Sequence, residues 1–158
     1  MPTQTQSLAP LPEQLRVVAW PDPAVEPVGH RPDSPYVEAV WLEVLGPSAT
    51  LAWRRLARIA AARPGTIIGS AELAQSLRLG RRFDKDASIS RAVARMVAFG
   101  AAKRTEATLA VRTALPDVPF QQRQRLSVSA QLAHQYWGHR QPGLASAVPQ
   151  PLSVEVGL

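Results

Sequence analysis

Guanidinium and ammonium groups dominate the chemistry this chain offers, and they are spread unevenly. Between Thr50 and Arg112 stand 13 basic residues against 4 acidic ones, a net of +9, whereas residues 1–49 carry −4 and residues 113–158 carry +1. A compact segment with that excess sets up a field that draws polyanions, of which nucleic acid is the commonest. Within it, Ser88, Arg91 and Arg95 recur at i, i+3 and i+7, one face of a helix, opposite Ile89, Val93, Met96 and Val97. Arg81, Arg82 and Lys85 stand in the polar stretch just before, and Lys103, Arg104 and Arg112 follow. Arginine offers a planar fork that matches phosphate or the guanine edge, and a serine-bearing helix start adds backbone and hydroxyl donors. Arg-rich and Ala-rich composition also follows from a GC-rich genome, so placement counts for more than the total.

Other chemistries find no residues to carry them. His30, His134 and His139 show no ligand spacing and no acidic company, which points to structural roles. Asp84 and Asp86 lie two apart with no third carboxylate nearby, so capping is their expected use. The sequence has no Gly-x-Ser-x-Gly elbow, no phosphate-cradling glycine loop and no cysteine. No catalytic residue, cofactor or metal is expected, and the chain does not read as an enzyme. No run approaches the ~18 apolar residues of a membrane span, and no secretory signal is visible. The expected compartment is the cytoplasm.

Several short elements must position the cations. Eight of the 15 prolines fall between Pro2 and Pro35, which rules out a long helix there. Inside that stretch, residues 15–20 form a β-prone run suited to one edge strand. Tyr36, Val37, Val40, Trp41, Val44 and Leu45 repeat with helical period, and Gly46-Pro47-Ser48 ends that helix and starts another. The second helix runs from about Ser48 to Ala62, with Leu51, Ala52, Leu56, Ile59 and Ala60 inward. Arg54, Arg55 and Arg58 lie off that stripe, in solvent or paired with Glu38 and Glu43. Thr66-Ile67-Ile68 predicts a brief strand, and Ser70 caps a short helix to Arg78. The helix Ser88–Phe99, capped by Asp86 or Ser88, stops at Gly100. Residues 101–105 and 108–113 alternate as a hairpin, with Leu109 and Val111 on one face and Ala110 and Arg112 on the other. Residues 121–126 and 129–137 complete the pattern as two terminal helices, with Tyr136 and Trp137 on the last. Trp41, Trp53, Tyr36 and Phe99 read as core.

The order helix, strand, helix, helix, hairpin over Ser48–Thr113 resembles the winged helix-turn-helix domain. The resemblance is carried by Thr66-Ile67-Ile68-Gly69-Ser70-Ala71-Glu72-Leu73-Ala74, by Leu77-x-Leu79-Gly80, and by Ser88-x-Ser90-Arg91-Ala92-Val93-x-Arg95-Met96-Val97-x-Phe99-Gly100. Residues 35–137 are also similar to small basic actinobacterial proteins of largely unassigned function. The resemblance implies an α+β fold, mainly α with a small β-hairpin wing and extra N- and C-terminal helices. It further implies that Ser88, Ser90, Arg91 and Arg95 approach bases or phosphates, with Lys103, Arg104 and Arg112 on the wing. The turn between the second and third helices is longer than in a simple helix-turn-helix, and Arg81, Arg82 and Lys85 in it add candidate phosphate contacts.

The expected organisation is an acidic, Pro-rich extension over 1–34, a winged-helix domain over 35–137 with core 48–113, and a flexible tail over 138–158. The expected function is sequence-preferring binding of double-stranded DNA by a transcriptional regulator. Five to six phosphate contacts would give a log–log salt slope of about −5. A homodimer through helix 36–45 and the C-terminal helices is the expected assembly. A winged-helix adaptor that docks an acidic protein partner is the competing expectation.

Overall fold

The computed structural model describes residues 10–138; residues 1–9 and the tail from His139 onward lie outside the described residues. The architecture is α+β: a four-stranded mixed sheet with helices packed on one face. Strand β1 is Gln14–Ala19, β2 Thr66–Gly69, β3 Ala102–Thr105 and β4 Thr108–Val111, in the spatial order β2-β1-β4-β3. A π-helical turn, Val37–Trp41, runs into α1, Leu42–Leu45. Then come α2 Pro47–Ala62, α3 Ser70–Ser76, α4 Ser88–Ala98, α5 Phe120–Arg123 and α6 Val128–Trp137. Among the described residues, no helix is long and apolar enough to cross a membrane.

The Pro-rich segment makes a larger contribution than expected. β1 is an interior strand, not an edge strand: it pairs antiparallel with β2 and parallel with β4, Arg16 opposite both Ile67 and Thr108. Prolines flank it without interrupting it, so every ladder donor it needs is present. Leu15 and Val17 point into the core beside Leu109 and Val111, while Arg16 and Val18 face the other way. Residues ahead of β1 tie other elements down. The Pro12 carbonyl accepts from Ser70 Oγ at 2.5 Å, and the Leu11 N–H donates to the Phe83 carbonyl at 3.1 Å.

The helical stripes largely emerge as read. Tyr36, Val37, Val40, Trp41, Val44 and Leu45 are all buried, as are Ile89, Val93 and Met96 of α4. In α2 the buried face is rotated: Ala49, Ala52, Trp53, Leu56, Ala57 and Ala60 pack inward, and Leu51, expected inside, is 49% exposed. Trp53 is the reason, since its indole donates to the Arg112 carbonyl at 2.9 Å and draws that side of the helix onto the sheet. The expected caps also move. Gly69 precedes α3 and Ala87 precedes α4, neither with a side-chain cap; Ser70 Oγ is committed to Pro12 instead. Gly100 ends α4 with φ +77°, a conformation costly for any other residue.

Candidate nucleic-acid interface

Helix α4 presents Arg91 and Arg95 outward, with Ser88 half-buried at its start. This face adjoins the start of α2. A shallow cleft of about 330 Å³ runs between Gly46, Pro47 and Ser48 on one side and Ser88, Arg91 and Arg95 on the other. Arg95 is partly committed: its Nε and one terminal nitrogen donate to the Val44 carbonyl at 3.2 and 2.8 Å, capping the end of α1, and its fork lies 5.2 Å from the Phe99 ring centre. Arg91 is exposed and makes no such bond among the described residues. Ser90, expected at the interface, is buried, and its hydroxyl donates to the Phe83 carbonyl at 3.0 Å. It pins the preceding loop to α4 rather than facing a ligand.

In that loop Arg81 and Lys85 are exposed, without a partner among the described residues. Arg82 forms a two-bond fork with Asp84, at 2.8 and 3.0 Å, in solvent. The Arg82 guanidinium holds the Asp84 carboxyl below the ordinary carboxylate range. Such an exposed pair contributes little to stability, but it neutralises Arg82 locally.

The hairpin cations part company with this face. β3 alternates, so Lys103, opposite Ala110, and Arg104, opposite the buried Leu109, leave the sheet on opposite sides. Lys103 lies on the side away from the helices, its ammonium 3.9 Å from the Trp20 ring centre. Arg112 stacks on the same indole at 3.9 Å, donates to the Gly100 carbonyl at 2.8 Å and pairs with Asp22. That bond to Arg112 holds the Asp22 carboxyl below its usual value. Arg104 donates to the Pro10 carbonyl, and partial burial lowers its pKa. The hairpin is not a projecting wing either: β4 pairs along its length with β1, and the two-residue tip carries Glu106, an anion, at φ +49°. The expected single cationic surface is therefore divided. Ser88, Arg91 and the half-engaged Arg95 line one cleft on the helix side, and Arg81 and Lys85 are exposed in the loop that leads into α4.

Two features escaped the sequence reading. Trp20 and Asp22, from the Pro-rich segment, hold Arg112. The second is a polar cluster under α6. His30 is stacked on Tyr36 at 3.8 Å and bonded to Asp117 at 2.6 Å, which corrects the expectation that it has no acidic company. Tyr36 Oη accepts from the Val118 N–H at 2.9 Å and lies 2.7 Å from His134 Nδ1. On the other side of that ring, the Arg123 guanidinium donates to Nε2 at 2.8 Å. An accepting Nε2 requires the neutral ring, and burial pushes the His134 pKa below 6.5. Burial likewise raises that of Tyr36. These pairs span 87 and 98 residues of sequence, and no local pattern announces them.

A groove of about 460 Å³ lies between α2, β2 and α3, lined by Ile59, Ile67 and Leu73 with Arg55 and Arg63. It holds no nucleophile–base pair. No group of three or more potential metal ligands occurs among the described residues. Compared with protein-family models, curated proteins and solved structures, the chain finds no match in any of the three.

Proposed function

We propose that this chain is a double-stranded DNA-binding protein of winged-helix type, acting in transcriptional regulation. The observation that supports it is that Ser88, Arg91 and Arg95 line one cleft beside the start of α2, with Arg81 and Lys85 exposed and without ion-pair partners among the described residues in the loop that leads into α4. The chain order α2, β2, α3, α4, β3, β4 suits a winged helix-turn-helix, with β1 inserted between the strands that flank it. In this reading α4 approaches the duplex, Arg91 supplies the fork that meets phosphate or guanine, and the loop cations contact the neighbouring backbone. The hairpin serves as scaffold, because Arg104 and Arg112 are used within the fold.

The salt dependence follows from that division. With about three phosphates neutralised per chain, log Kobs against log salt should fall with a slope of about −3, not the −5 that five to six phosphate contacts would give. Fluorescence anisotropy on a labelled duplex across a salt series measures it, and a slope near zero removes the proposal. The competing adaptor reading draws on one observation, the internal use of the hairpin cations. It gains if purified protein leaves duplex DNA unshifted while a defined acidic protein partner binds.

A further inference from the structure

Helix α6 is built the wrong way round for an ordinary surface helix. Its inner face is held by small side chains and polar ties: Ala130 and Ala133 are buried, His134 meets Tyr36, and the Glu43 carboxylate accepts from the N–H and hydroxyl of Ser127 at the helix start. Its outer face carries an apolar row beside Ser129, Gln131 and Gln135. Val128, Leu132 and Tyr136 recur at i, i+4 and i+8 and are 75%, 59% and 45% exposed. Trp137, 42% exposed, stands edge-on to Tyr136 at 4.9 Å, and Phe120, 64% exposed, flanks the row across Gln131 and Gln135.

We infer that this stripe is the contact between two copies of the chain. Three observations select a second copy as the occupant. The five side chains together expose on the order of 600 Å², at the upper limit for a monomer's largest apolar patch. With the adjoining Ser129, Gln131 and Gln135 as rim, this approaches the roughly 800 Å² per partner of a stable interface. Charge also points to self-association. The chain carries a net +6, yet Val128–Trp137 contains no Asp, Glu, Lys or Arg, so the α6 rows of two copies meet without opposing like charges, the nearest cation being Arg123 beside Phe120 at the edge. The spacing is self-complementary as well: Leu132 lies midway between Val128 and Tyr136. A two-fold axis through Leu132 sets Val128 of each copy against the partner's Tyr136.

The expected dimer is thereby relocated. The apolar residues of 36–45 are buried in the core beneath α6, so they offer no apolar contact surface. Only the α6 half of that expectation is carried forward.

The chain has no cysteine, so one introduced thiol reports the contact cleanly. In light scattering the full chain should show twice its 17.1 kDa mass, and Leu132→Glu should halve that value with the circular dichroism spectrum unchanged. Leu132→Cys should cross-link copies under mild oxidation, whereas Ile67→Cys, equally exposed on β2, should not. A full chain of single mass overturns the inference, whether the tail or a foreign protein covers the stripe. So does a dimer that survives Leu132→Glu, or equal cross-linking at both thiols. Neither measurement involves nucleic acid, so the DNA-binding proposal stands or falls separately.

Discussion

The α4 face and the β3–β4 hairpin carry similar cationic side chains in the sequence, yet the fold treats them oppositely. On α4 and its loop, Arg81, Lys85 and Arg91 reach solvent without an ion pair among the described residues. On the hairpin, Arg112 is held by Asp22, Trp20 and the Gly100 carbonyl, Arg104 by the Pro10 carbonyl, and Lys103 lies against Trp20. The difference comes from β1. By entering between β2 and β4, it brings an indole, a carboxylate and a free carbonyl within reach of the hairpin. Positive charge counted along a chain is therefore not positive charge offered to a ligand.

If β1 is the cause, weakening it should disturb the hairpin side most. Leu15→Ala removes a fully buried side chain from the interior strand and should cost about 2–5 kcal/mol, read as a lower urea midpoint. A loss below about 1 kcal/mol would show β1 to be dispensable.

Arg112→Ala should come next. It strips the Gly100 carbonyl and the Trp20 face of their partner, for about 1–2 kcal/mol, while DNA affinity changes little. A large affinity loss with full stability would place the hairpin in the interface and erase the contrast.

Arg91→Ala should do the reverse. Stability should stay within about 0.5 kcal/mol, and the salt slope should shrink by about one. An unchanged slope would take Arg91 out of the binding surface.

The smallest effect concerns pH. His134 has a lowered pKa in the folded chain, from burial foremost, with the Arg123 cation adding to it and Asp117 opposing it. The unfolded chain therefore binds more protons in this window. Its contribution is complete above pH 6.5 and is lost as pH falls from there through the folded value. Amide exchange in α6 should accelerate over that range, and His134→Gln should flatten the dependence. Tyr36, His30, Asp117 and Arg123 surround this ring, so the His134→Gln comparison is what isolates it.

Much of the architecture was legible in the residues themselves. The apolar period of 36–45 and of α4, the glycine at position 100 and the alternation about Leu109 and Val111 all report local geometry, because each depends on the pitch of a helix or the pleat of a strand. The α2 face was misread at Leu51 because Trp53 is anchored by a carbonyl 59 residues away. Ser90 was misread because a hydroxyl on a helix looks the same in sequence whether it meets solvent or the Phe83 carbonyl.

By itself the sequence determined the segregation of charge, the element order and the placement of Arg91 opposite an apolar stripe, since all three are properties of near neighbours along the chain. Tertiary structure decided which cations remain available, where β1 inserts, and that α6 turns an uncharged apolar row to the outside. Those outcomes depend on side chains that meet only when distant segments pack, and pairing over such distances leaves no trace in local spacing.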